Sequence, residues 1–189
     1  MDFYYSPKSA AYAVHILLEE VNATYNLHLI DLKNSNQTEK SYLRINPKAR
    51  VPSLVTKDGV LTETPAILTY IAQLYSCKQF LPKTVFDFSK VQEFNSYLAS
   101  TVHVAHAHKH RGHRWTDDEK SQSLMSKKVK ENMSDCAEMI ENHFFIGPWV
   151  MGEQYTICDP YLALVYRCLL YTSDAADDTP CVDLGGRRI

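Results

Sequence analysis

Two serines flank Pro7-Lys8 at the point where an aromatic-rich run gives way to a helical pattern, in "FYYSPKSAAYAVH" (3–15). From Ser9 onward, apolar residues recur at Ala10, Ala13, Val14, Leu17, Leu18 and Val21, the 3.6-residue period of an amphipathic helix. A helix start at a strand's end presents unpaired N–H groups and the positive end of the helix dipole, which together favour an anion. Ser9 is placed as the N-cap and could donate its hydroxyl to that anion, with Tyr5 and Ser6 as competitors at the same corner. A second helix start has an acid beside it. In "TETPAILTYIA" (62–72), Thr64 is placed as N-cap and Pro65 at the first helical position, with Glu63 just outside. That helix end suits a carboxylate, and Glu63 can receive an ammonium.

The run "HVAHAHKHRGHRW" (103–115) holds five of the chain's eight histidines and invites a metal reading. On a helix His103, His106, His110 and His113 share one face, a spacing that could bring two imidazoles to one zinc. Within the run no Cys, Asp or Glu completes a ligand set, and Gly112 can end the helix before His113. The reading is therefore no metal site and a polar wall with solvated histidines.

The elements that must position these groups fall into two blocks. Residues 2–5 read as a strand, "TYNLHLIDL" (24–32) as a second strand with Tyr25, Leu27 and Leu29 on one face, and "TEKSYLRI" as a short helix. "VPSLVT", "KDG" and "VLTE" form a hairpin signal around an Asp-Gly turn, and 64–75 is a helix. Beyond it the strands stop. Residues 88–111 and 116–145 carry helical periodicity, and "YTICDPYLALVYR" opens a last helix with Thr156 and Asp159 spaced as a capping box. This divides the chain into an α/β unit at 1–77, a linker at 78–87 and an all-helical unit at 88–167.

The segment 168–189, "CLLYTSDAADDTPCVDLGGRRI", breaks the pattern before it. Back-translated, Cys168–Asp177 and Val182–Ile189 can both be written as standard sequencing-library adapter DNA, in order, with room for a variable index between. It is read as an adapter-derived artefact that forms no packed core, with the true last helices missing, and is set aside from fold reasoning. Without it the acidic and basic residues balance, which points neither to nucleic acid nor to an anionic membrane. At 45% hydrophobic and 22% charged residues, with no apolar run of membrane-spanning length and no secretion signal, the chain is expected to be a cytoplasmic globular protein with reduced thiols.

"NPKARVPSLV" (46–55), then "TETPAILTYIA", then "TICDPYLALVY" resemble, in that order and spacing, the glutathione transferase superfamily over residues 1–167. The resemblance implies a thioredoxin-like first domain followed by an all-α domain, a homodimer, and glutathione as substrate with no further cofactor. It implies a cis Val51-Pro52 bond that turns the Val51 backbone outward to pair with the cysteinyl unit. The γ-glutamyl end, with its ammonium and carboxylate side by side, would meet Glu63 and Thr64, and Lys33 stands where relatives hold the glycyl carboxylate. The cysteine that many bacterial members carry in this first helix is replaced by Ala10, and Lys8 stands where they often have glycine. Ser9 matches the serine of other classes and is assigned as donor to the glutathione thiolate. His103 and His106 are assigned to the cleft for the second substrate, a small electrophile. The activity implied is that of a transferase which activates the glutathione thiol for attack on that electrophile, in detoxification. A glutathione-dependent disulfide reductase and a non-catalytic glutathione-binding protein are the alternatives.

Overall fold

The structure, a computed structural model, describes residues 1–173. The first block is a four-stranded sheet in the order β2-β1-β3-β4, built from β1 (Asp2–Tyr5), β2 (Asn26–Leu29), β3 (Ser53–Thr56) and β4 (Gly59–Thr62). β1 runs parallel to β2 and antiparallel to β3, with Phe3 opposite Leu27 and Leu54. The parallel pair needs a crossover, and α1 (Ala11–Glu20) supplies it. The expected hairpin is β3–β4, closing at Gly59, whose φ of +141° suits a residue without a Cβ. α2 (Lys40–Leu43) is a single turn, and α3 (Thr64–Leu74) lies against α1.

Burial explains why the helices stay on the sheet. Ala13, Val14, Leu17 and Leu18 of α1, Ile67, Leu68 and Ile71 of α3, and Phe3 and Leu54 of the sheet are all fully buried. Each large apolar side chain withdrawn from water contributes about 1.5–3 kcal/mol before chain entropy is charged against it. The core runs without a break into the helical block through Val91, Phe94, Leu98, Met133, Ile157 and Tyr161.

That block consists of α4 (Val85–Tyr97), α5 (His103–Arg111), α6 (Glu119–Met139) and α7 (Cys158–Ser173). A π-helical turn at Leu98–Val102 joins α4 to α5, and a second at Ile140–Phe144 extends α6. Thr84 caps α4 by accepting from the Asp87 N–H at 3.0 Å, and Asp118 caps α6 by accepting from the Ser121 N–H at 2.7 Å. At α7 the Thr156 N–H donates to Asp159 Oδ2 at 2.7 Å, while Thr156 Oγ1 accepts from the N–H of Cys158 at 3.3 Å. Asp159 Oδ1 also accepts from the Val150 N–H at 2.9 Å, tying the preceding loop to the helix.

Five sequence expectations need correction. β2 covers only Asn26–Leu29 of the run 24–32, and Leu27 and Leu29 are largely exposed. Among the described residues β2 is an edge strand, and no element packs over Leu27 and Leu29 closely enough to bury them. α1 begins at Ala11 with Ala10, not Ser9, in the N-cap place, and α3 begins at Thr64 with Glu63 in that place. α4 starts at Val85, inside the segment read as linker, because Thr84 and Asp87 form a cap there. α7 continues through Ser173, and Cys168 and Leu169 pack half-buried against the core rather than breaking the helix. The expectation that the segment forms no packed core, which ordered and well-buried Leu184 and Ile189 would have contradicted, lies from residue 174 onward outside the described residues. Among those described, no helix is long and apolar enough to cross a membrane.

Candidate functional site

A cleft of about 690 Å³ separates the two blocks. Ser9 and Ala10 line it from the start of α1, Val51 and Arg50 from the loop before β3, and His103, His106, His110 and Arg111 from α5. Arg114 and Trp115 follow on the turn after α5, and Leu164 and Cys168 project from α7.

The corner before α1 is tightly wired. Ser9 Oγ accepts from the Ala11 N–H at 3.2 Å, so it satisfies the first free helix donor without occupying the N-cap position itself. Its own proton is donated to the Ser6 carbonyl at 2.6 Å. Lys8 stands at φ +61°, a left-handed conformation that a side chain disfavours, and the turn Ser6–Ser9 depends on it. Tyr5 lies within β1, stacked on Phe3 and tilted against His15, and is not among the residues lining the cleft.

A buried polar network holds the Val51 loop. Tyr42 donates its hydroxyl to the Arg50 carbonyl at 2.6 Å and lies 2.9 Å from Ser53 Oγ. Asn46 Nδ2 donates to the same carbonyl at 2.7 Å and to Ser53 Oγ at 3.1 Å. Asn46 Oδ1 accepts from the Lys48 N–H, a local turn that Asn favours. The Val51-Pro52 peptide carried on this frame is cis.

At the start of α3, Thr64 is buried and Glu63 has φ +71° and ψ 124°, a rare conformation for a residue with a side chain. The Glu63 carbonyl accepts from the Ile67 N–H at 3.0 Å, which anchors it. Glu63 Oε1 is ion-paired with Lys48 Nζ, which also donates to Thr62 Oγ1 at 2.6 Å. No side chain among the described residues caps α3, so no side-chain acceptor takes up its first N–H groups. Lys33 is exposed in a turn whose N–H donates to Asp31 Oδ1 at 2.9 Å. Lys33, Pro52, Glu63 and Thr64 are not in the cleft lining, whereas Ser9, Val51, His103 and His106 are.

The histidines divide. Burial lowers the His103 pKa, with Arg111, Arg50 and Arg114 adding repulsion and Glu63 opposing. Burial, then His103 and the cations of α5, push His106 down to about 4, so both rings favour the neutral form. His108 turns away from the cleft: its Nδ1 lies 2.8 Å from the Val104 carbonyl, and its ring stacks on Trp115 at 4.0 Å between centroids. Gly112 ends α5 and begins a 3₁₀ turn that carries His113. Among the described residues no cluster of three or more His, Cys, Asp or Glu could hold a metal ion.

The sequence reading missed Arg50, Arg111, Arg114, Trp115 and Gln37. The three arginines and the tryptophan stand inside or beside segments already singled out, so their signal was present. It was masked because arginines on a helix face read as solvated. Gln37 carried no signal. It sits in a 3₁₀ turn at Asn36–Thr38, and its Oε1 is buried without a hydrogen-bond partner among the described residues.

The family model described as "Glutathione S-transferase, N-terminal domain" matches residues 3–73. The curated "Glutathione S-transferase GstA" of Escherichia coli O157:H7 is 29% identical over 170 residues, 88% of this chain and 81% of that protein. A solved glutathione transferase homolog from Sulfitobacter, with bound glutathione, is 38% identical with a TM-score of 0.88, covering 93% of this chain and 86% of that one. A glutathione transferase structure from Methylococcus capsulatus is 28% identical with a TM-score of 0.68, covering 91% and 83%.

Proposed function

The chain belongs to the glutathione transferase superfamily, and on that footing we propose that it activates the thiol of bound glutathione for attack on a small electrophile. The observation that carries this reading is Ser9, whose hydroxyl lines the cleft at the start of α1 beside Val51. Glutathione would lie along the first block, its cysteinyl unit pairing with the Val51 backbone. Its γ-glutamyl carboxylate would meet the N-terminus of α3 at Thr64. Its ammonium would meet Glu63, sharing that carboxylate with Lys48, and its glycyl carboxylate would reach Lys33.

The sulfur would then sit at the start of α1, where the helix end and the cations of the cleft favour thiolate. A free thiol titrates near ~8.5, and a helix N-terminus lowers that by about a unit or more. Each unit is worth about 1.4 kcal/mol of preference for the anion. Ser9 would turn its proton from the Ser6 carbonyl to the sulfur while still accepting from the Ala11 N–H. The thiolate sulfur attacks the electrophilic carbon, a C–S bond forms, the leaving group departs with the bonding pair, and the thiol proton goes to solvent. Catalysis is positioning and electrostatic stabilisation, with no covalent enzyme intermediate. The resemblance further supports a homodimer.

One observation favours the binding-only alternative: the Ser9 proton is already committed to the Ser6 carbonyl. Ultraviolet difference spectra of glutathione on wild type and Ser9→Ala, followed across pH, decide between them. Thiolate absorbance near neutral pH in the wild type, shifted up by about one pH unit in Ser9→Ala, is the expected result. Thiolate formation at the same pH in both would remove Ser9 from the role, and bound glutathione without thiolate would leave a binding protein.

A further inference from the structure

We propose that the electrophile this cleft accepts carries a carboxylate, received by Arg111 and Arg114 on the wall formed by the helical domain. The proposal rests on the glutathione-binding reading and deepens it by naming the class of second substrate.

The charge around the cleft is one-sided. Among the described residues Lys8, Arg50, Arg111 and Arg114 line it and no Asp or Glu does, and Glu63, whose charge reaches His103, is held by Lys48. None of the three arginines has an ion-pair partner among the described residues: the described ion pairs use His15, His28, Lys48, Lys90 and Lys128. The arginines also lie near one another. Arg111 and Arg50 both repel Arg114, and all three repel His103. A smaller adjoining cavity of about 330 Å³ shares Lys8, His106 and His110, adds Lys109 and Arg167, and among the described residues is again without an acid.

Arg111 is half-buried and Arg50 and Arg114 are exposed, so water screens part of their repulsion, but no carboxylate among the described residues pairs with them; an anionic ligand would supply that partner. Glutathione supplies anions, but in the pose above its carboxylates go to the α3 N-terminus and to Lys33, on the first block. Arg111 and Arg114 stand across the cleft, on the end of α5 and the turn after it. A guanidinium offers a planar pair of donors that matches a carboxylate edge to edge. Beside them Val104, Trp115 and Leu164 give the wall apolar surface for the body of such a molecule. His103 and His106, held towards the neutral form, add hydrogen-bonding capacity rather than further charge.

The test uses a matched pair of probes, 4-chloro-3-nitrobenzoate and its methyl ester. In both, the glutathione sulfur bonds to the ring carbon and chloride leaves with the bonding pair. Each kcat/KM is divided by the uncatalysed rate with glutathione, which removes the difference in intrinsic reactivity. The wild type should favour the acid over the ester, and added salt should shrink that preference. In Arg111→Gln/Arg114→Gln the acid-over-ester preference should fall about tenfold or more, with Arg111→Lys/Arg114→Lys recovering part of it. Equal loss on acid and ester, or a loss that appears as weaker glutathione binding, would overturn the proposal.

Binding of unreactive 3-nitrobenzoate without glutathione, read as fluorescence quenching that Trp115→Phe abolishes, separates the two readings. Quenching that the double glutamine variant weakens supports the anion site even if no thiolate ever forms. Absence of quenching in the wild type overturns it, whatever glutathione does.

Discussion

Replacing Asp159 with asparagine probes how the helical wall of the cleft is fastened. The carboxylate is buried and accepts three hydrogen bonds: Oδ1 from the Val150 N–H at 2.9 Å, and Oδ2 from the Thr156 N–H at 2.7 Å and the Thr156 hydroxyl at 3.3 Å. Burial pushes its pKa up, and these same hydrogen bonds pull it back. Asparagine keeps the shape but turns one arm into an NH₂ donor, which must face either the Val150 or the Thr156 N–H. A buried backbone donor left without an acceptor costs about 1–3 kcal/mol. The remaining arm loses its charge assistance, roughly 1 kcal/mol more, while a neutral amide is easier to bury than a carboxylate and offsets part of this. The net expectation is about 2–3 kcal/mol of lost stability, or a fall in Tm of about 4–12 °C for a chain of this size. Asp159→Ala removes both arms and should cost more, about 3–5 kcal/mol. Thermal melts by circular dichroism at neutral pH, with urea midpoints as a second measure, give both values. An asparagine variant within about 0.5 kcal/mol of wild type would refute the account, because it would mean that the two N–H groups find other acceptors.

Lys8→Gly should raise stability by about 0.5–1 kcal/mol, since glycine accepts φ +61° without the clash that lysine carries there; an unchanged or lower urea midpoint would argue against that conformation. For His106 the unfolded ring takes its proton near ~6.5 and the folded ring only near about 4, so stability should decline as pH falls through that window. After allowance for solvent screening of a partly exposed ring, the loss should be about 1–2 kcal/mol, and His106→Asn should flatten the pH slope of the urea midpoint relative to wild type; parallel slopes would exclude His106 as the source.

Much of this molecule was legible because its core is periodic. Leu17 and Leu18 of α1 and Ile67, Leu68 and Ile71 of α3 repeat at helical spacing, and all end fully buried. The hairpin was legible from Asp-Gly, and α7 from the Thr156–Asp159 pairing. What a linear pattern could not carry was context. Leu27 and Leu29 alternate like buried strand residues, but whether they are covered depends on what packs over that face of the sheet, and among the described residues nothing buries them. Thr64 looked like an N-cap, but that place went to Glu63, whose φ of +71° no propensity would assign to glutamate.

The cleft shows the same division on the scale of chemistry. Ser9 could be read as a hydroxyl at a helix start, because helix starts leave a local mark. That its proton is given to the Ser6 carbonyl could not be read, because that bond depends on the turn through Lys8. The histidines drew attention as a run, yet the run is not the unit the fold uses. The structure turns His108 onto Trp115, keeps His103 and His106 towards neutrality in the wall, and sets Arg111 and Arg114 beside Arg50 from a loop far away in sequence. Charges that read as solvated one at a time gain meaning when folding gathers them on one cleft with no ion-pair partner among the described residues. Cations gathered in this way set up a positive potential that draws a ligand of opposite charge, and on that ground the converging arginines, rather than the histidines that first drew the eye, carry our proposal for the second substrate.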